Sequence, residues 1–330
     1  MQALAKGFSD LPSFIRIVVF SRQERDMGSH PHLRPYPLLD IDSAANKDDV
    51  SEFVRHRLKE IRAKDGFLGA DWPGDDKVNA LANGAGGLFI WASTACLYID
   101  SHDPDQRLSE LINKHSERNS SGPFARLDSL YKTAMQFAGS WDDPSFRSDC
   151  CSILGVILCA RIPLSCSVID ALLALPQHRP SRKSISHLQC VLYTCAGGVI
   201  RTLHPSFRDY FSKRCSGEHW SIDLEQHNKE FTLRCIKHLE KENICDMTLP
   251  NWTQKETLPE AVFYACEFWI EHTCLVLDAT DDIVNGIYDF LVKHLLHWIE
   301  ALAVRKCHDH TIRSLQNLMK WLQVCHTTYI

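Results

Sequence analysis

Five short constellations in the chain carry residue types capable of chemistry. His204, Ser206 and Asp209 are the types of a hydrolase triad. His and Ser only two residues apart across a proline do not by themselves make a nucleophile–base contact, and no G-x-S-x-G elbow is present, so hydrolysis is not expected. His204 sits where a strand-like run turns into a helix, so its imidazole could donate to a phosphate or cap the turn, and position alone leaves both readings open. Ser21 and Arg22 follow the best strand in the sequence, and strand carboxyl ends face the ligand crevice in nucleotide-binding sheets. A guanidinium there can reach a terminal phosphate, although a solvated loop arginine is the simpler reading of position alone. Leu38–Asp42 (LLDID) imitates an acidic-ended Walker B strand, but Pro31, Pro35 and Pro37 argue against a central strand. No G-x-x-x-x-G-K-[ST] occurs in the 330 residues, so nothing cradles phosphates or places Mg²⁺, and autonomous ATP hydrolysis is not expected. His294, His297, Cys307, His308 and His310 form the richest metal-like cluster, yet no C-x-x-C accompanies them, and core or surface histidines are the expected reading. His178–Lys183 (HRPSRK) is a basic loop before a short helix that offers few bidentate base readers.

The elements that must position these groups are helices. Charged residues make up 23% and hydrophobic ones 45%, with Gly 15 and Pro 14, which excludes collagen-like, coiled-coil and disordered classes. A net charge of −5 gives no bias toward nucleic acid or acidic membranes. Fourteen cysteines lie within apolar periodic stretches, where they act as small hydrophobes, and this fits a reduced, cytoplasmic setting. The longest apolar run, residues 86–99, is shorter than the ~20 residues that span a bilayer, and no signal peptide is visible, so a soluble chain with no membrane partner is expected.

Residues 14–20 (FIRIVVF) read as a strand buried on both faces, and nothing in the next hundred residues could pair with it. Val50, Phe53, Val54, Leu58 and Ile61 then begin a helical pattern that continues through 77–82, 88–99 and 104–112. A polar Ser/Asn-rich stretch, 113–122, reads as a linker. Helices are expected over 127–137, 146–160, 163–175 and 184–192, followed by a short strand at 199–204 and a helix at 205–211. Helices closed by a short hairpin-like strand indicate a winged-helix module. Beyond Trp220 the pattern is helical, at 228–240, 258–272 and 282–304.

Nine segments in this order resemble one family, the fungal NACHT-domain proteins, which are NOD-like members of the signal-transducing STAND P-loop NTPases. FIRIVVFSRQE is similar to the family's sensor strand, with Phe20 and Gln23 departing from its Thr-Ser-Arg-Pro-type ending. AANKDDVSEFVRHRL and GAGGLFIWASTACLYI resemble the helical segment that follows; PLSCSVIDALLAL, VIRTLHPSFRDYF and HWSIDLEQHNKEF resemble the winged-helix region and the helices beyond it. NICDM, YACEFWIEH and HWIEALAV are similar to the helical segment that leads toward C-terminal repeats. The resemblance implies a mostly α fold. Residues 1–40 would be the end of a NACHT α/β nucleotide-binding domain, 41–122 a helical lid, 123–217 a winged-helix-like domain, and 218–330 a helical extension preceding repeats. It implies a fragment that lacks Walker A and Walker B, regulatory rather than catalytic by itself, from an innate-immune type of cytoplasmic signalling receptor. Arg22 would face the γ-phosphate and His204 the β-phosphate of ADP in the full-length protein, while the isolated chain would hold no cofactor. Expected partners are proteins, either a second copy or another NACHT protein. The alternative readings are a helical adaptor that pairs with such a protein and, less favoured, a winged-helix DNA binder.

Overall fold

The structure, a computed structural model, describes residues 44–116, 123–240, 259–304 and 308–328, together with Pro12, Phe14 and Ile15. The three-and-four spacing of apolar residues is realised as thirteen α-helices among the described residues, with a two-stranded antiparallel sheet. The helices are α1 (Ala44–Lys64), α2 (Asp75–Ala85), α3 (Phe89–Ile99), α4 (Pro104–Ser116), α5 (Pro123–Phe137), α6 (Pro144–Cys159), α7 (Cys166–Leu173), α8 (Ser181–Ser186), α9 (Pro205–Lys213), α10 (Leu224–Leu239), α11 (Glu260–Thr273), α12 (Asp281–Val304) and α13 (His308–Thr328). The strands β1 (Leu192–Thr194) and β2 (Ile200–Thr202) lie between α8 and α9.

Local chemistry sets several of the helix starts. Asp143 caps α6 by accepting from the Ser145 N–H, with Pro144 in the first turn. Ser165 caps α7 through Val168, and Asp223 caps α10 through Glu225 and Gln226. The hairpin turns at Gly197 and Gly198, whose φ of 83° and 75° place both in the left-handed region that a side chain disfavours. The Cys195 N–H bonds the Val199 carbonyl across this turn, and the Ile200 N–H reaches Leu164 before α7. A further bridge, Ser165 to Val199, ties the α6–α7 connection to the hairpin.

One buried apolar cluster runs from Val50 on α1 to Trp321 on α13. α5 packs on α3 and α4 on one side and on α9 on the other, and α10 lies against α6, α7, α11 and α12. The core is therefore continuous across the expected boundaries at 122 and 217. The structure departs from the sequence-based expectation at 184–192. Helix α8 ends at Ser186, and Leu192 opens β1 as the register partner of Thr202. The reason is tertiary, because Leu192 is buried and its strand is completed by a partner ten positions on. The expected strand at 14–20 is not met at its first two residues. Phe14 and Ile15 lie in a turn, with the Ile15 N–H on the Pro12 carbonyl, and Phe14 is 81% exposed. Residues 16–20 of that segment lie outside the described residues.

Candidate functional site

His204 is built into the junction between β2 and α9. The Leu203 N–H bonds Val191, which extends the hairpin pairing by one residue, and His204 then follows in extended backbone as the cap of α9, with Pro205 in the first turn. Pro205 has no N–H to satisfy, so the first donor needing a partner is Ser206. The Ser206 N–H donates to His204 Nδ1 at 3.1 Å, and the Ser206 hydroxyl lies 2.7 Å from the same nitrogen. A nitrogen that accepts from a backbone N–H carries no proton, so the neutral imidazole is the tautomer protonated on Nε2.

Contacts from α5 and from the end of α9 hold this arrangement from behind. Tyr131 on α5 brings its hydroxyl within 2.8 Å of Ser206 Oγ in a buried contact. Burial pushes the Tyr131 phenol up to about 12, so it stays protonated and can donate to Ser206. Its ring packs edge-on against Phe207, 5.2 Å between centroids. At the far end of α9, Arg214 Nε donates to Asp128 on α5 at 2.6 Å, Lys132 pairs with Glu218, and Trp220 donates to Tyr210. The half-buried His204 ring is thus set on a helix start clamped to α5 at both ends.

Arg22, Ser21 and residues 38–42 lie outside the described residues. His294 and His297 sit one turn apart on α12 with rings 5.9 Å apart, and both Nδ1 atoms are buried without a hydrogen-bond partner among the described residues. Cys307 lies outside the described residues, as do the side chains of His308 and His310. Among the described residues no group of three or more His, Cys, Asp or Glu side chains converges as metal donors. Of the basic run, Arg179 lies 3.4 Å from Asp149, and Ser181 is buried with its N–H on Asp170. No disulfide joins the eleven cysteines whose side chains are described. Burial pushes the Cys96, Cys150 and Cys159 thiols up to about 12, which makes them poor nucleophiles. Among the described residues no helix is long and apolar enough to cross a membrane.

A second polar constellation, unsuspected from the sequence, lies where α6, α10 and α11 meet. His272 is fully buried on α11. Its Nδ1–H donates to Asn228 Oδ1 at 2.9 Å, and its Nε2 accepts from the Tyr264 hydroxyl at 2.8 Å. Tyr264 in turn accepts from the Arg161 backbone N–H, and the Asn228 amide donates to the Leu224 carbonyl. Each member has its partners, which is what a polar group in a dry core requires. Burial, with Arg161 nearby, drives the His272 pKa down to about 3. The only sequence signal was a histidine ending an otherwise apolar helical run.

No family model matches the chain, and no solved structure matches it. The chain is similar to vegetative incompatibility protein HET-E-1 of Podospora anserina, with 22% identity over 317 residues. The similarity covers 85% of this chain and 22% of that protein, so the chain spans less than a quarter of the length of that relative.

Proposed function

We propose that this chain is a regulatory, non-catalytic part of a nucleotide-switched signalling protein of the NACHT/STAND class. The observation that carries the reading is the similarity to HET-E-1, which runs through 85% of the chain rather than through one motif. The helix set α6–α7–α8 closed by the β1–β2 hairpin, with the Ser165–Val199 bridge, supports a winged-helix unit within 123–217. In this reading 1–40 closes a nucleotide-binding domain, 41–122 forms the lid and 218–330 extends the helical region. A cytoplasmic setting suits the high thiol pKa values and the absence of disulfides among the described residues. The imidazole of His204 supplies an Nε2–H to the β-phosphate of ADP, and Arg22 serves the γ-phosphate of ATP. The chain holds neither nucleotide tightly alone, because the loop that cradles phosphates is not among its 330 residues. Nucleotide binding would then bias a two-state element, with ADP favouring the closed arrangement.

Calorimetry tests this in two arms. The chain alone should bind ADP no more tightly than about millimolar, since only a side-chain contact remains. Joined behind a nucleotide-binding domain that carries the G-x-x-x-x-G-K-[ST] loop, it should acquire a His204-dependent ADP affinity. A hydrogen bond to a charged phosphate is worth about 1.5–3 kcal/mol, so His204→Leu should weaken ADP by roughly ten- to a hundred-fold and ATP by less. Micromolar ADP binding by the chain alone, or an unchanged ADP affinity in a folded His204→Leu fusion, overturns the proposal.

A further inference from the structure

The outward face of α12 has no partner among the described residues, yet it is apolar. Tyr288, Val292, Leu296 and Ile299 are 67%, 65%, 78% and 38% exposed, and Ala303 is exposed beyond them. At 100° per residue these five fall in one narrow stripe on the side away from Ile283, Ile287, Phe290 and Trp298, which face the core. The stripe runs for 15 residue steps, about 22 Å.

Its layout is self-complementary. Val292 and Ile299 are equidistant from the midpoint between Leu295 and Leu296, and so are Tyr288 and Ala303. A second α12 running antiparallel about a two-fold axis at that midpoint would set Val292 against the second copy's Ile299. It would also set the large Tyr288 against the small Ala303, and the Leu296 side chains would meet near the axis. Charge agrees with the same axis. Asp289, Lys293 and Glu300 line one flank of the stripe, whereas Leu291 and Leu295 on the other flank pack toward the core. In an antiparallel pair related by such an axis, like flanks meet. Lys293 then comes within two residues of the second copy's Glu300, about 3 Å along the helix, and the contact is made twice. A parallel pair would instead bring the charged flank against the leucine flank.

We propose that α12 is the interface of a closed two-fold homodimer, its occupant a second copy of this chain in antiparallel orientation. The proposal goes beyond the nucleotide reading and does not depend on it.

Sedimentation velocity of the full chain over a concentration series tests it, with circular dichroism confirming that each variant is folded. The wild-type chain should move from monomer to dimer and form no larger species. Leu296→Glu should leave a folded monomer, whereas Met319→Glu, a comparable exposed site on α13, should leave dimerisation unchanged. Lys293→Glu or Glu300→Lys alone replaces two attractions with two repulsions and should weaken the dimer by about tenfold, and the double exchange should restore it to near the wild-type value. A folded wild-type chain that stays monomeric at all concentrations overturns the proposal. So does dissociation by Met319→Glu with Leu296→Glu silent, or a double charge exchange weaker than either single one.

Discussion

His272 offers a quantitative test of the packing between α10 and α11. Burial holds this imidazole neutral in the folded chain down to a pKa of about 3, whereas an unfolded chain binds the proton near 6.5. Between those values the unfolded state carries more protons, so the free energy of unfolding falls as pH falls. The stabilising contribution is complete above pH 6.5 and is lost progressively from there toward pH 3. Integration over the two titrations gives a loss of about 2 kcal/mol at pH 5 and about 3 kcal/mol at pH 4 relative to pH 7. Carboxylates also destabilise the fold in acid, so the informative quantity is a difference between two proteins. His272→Gln keeps an acceptor for Tyr264 and a donor for Asn228 but cannot titrate. Its stability at neutral pH should be lower, because an amide does not reproduce the ring contacts with Phe231, 4.4 Å between centroids. Its further loss between pH 7 and pH 5 should be smaller than that of the wild-type chain by about 2 kcal/mol. Urea unfolding followed by circular dichroism at both pH values measures this. Identical pH dependence in the two proteins would refute the reasoning, since it would mean that His272 exchanges its proton as freely folded as unfolded.

Two further substitutions probe the frame around the candidate site. In Gly155→Ala the new methyl would lie 2.3–2.6 Å from the His227 ring, where α6 meets α10. Overpacking of about 1–3 kcal/mol should outweigh the ~1 kcal/mol gained in helix propensity, so thermal unfolding should shift downward, and a neutral or raised midpoint would show that the helices can separate. Ser206→Ala should cost about 1–3 kcal/mol, because Tyr131 loses its buried partner, whereas adding Tyr131→Phe should recover part of that loss. Imidazole nitrogen shifts in the same variants should still show the Nε2–H tautomer of His204, because the residue 206 N–H keeps donating to Nδ1, and a shift to a mixture would mean that the serine hydroxyl is needed as well.

Helix positions were legible because their signal is local. Each apolar stripe repeats within a few turns, and the caps at Asp143, Ser165 and Asp223 stand next to the runs they open. The hairpin was half legible. Gly197–Gly198 marked the turn and β2 followed it, but Leu192, the first residue of β1, was read as the tail of a helix, because three residues carry no period and Leu192 gains its meaning only from Thr202. At the site, His204 stood out by its place between a strand and a proline. Tyr131 could not, lying 75 residues from the serine it touches. The same holds for Asn228, 44 residues before the histidine it accepts from. Contacts of that span are made by packing, which no short window contains.

The two readings of His204 that the sequence left open, a structural cap and a phosphate donor, make use of different nitrogens. Capping occupies Nδ1, and that occupation places the ring proton on Nε2, the form a phosphate oxygen needs. Were the proton on Nδ1, the ring could not accept from Ser206, and the start of α9 would lose its side-chain cap. Tyr131 carries the same constraint one step further back, because a protonated phenol donating to Ser206 frees that hydroxyl to donate in turn to Nδ1. The helix cap and the orientation of α5 against α9 thus select one tautomer before any ligand arrives. A structural role for this histidine is therefore compatible with the proposed phosphate contact and gives no argument against it.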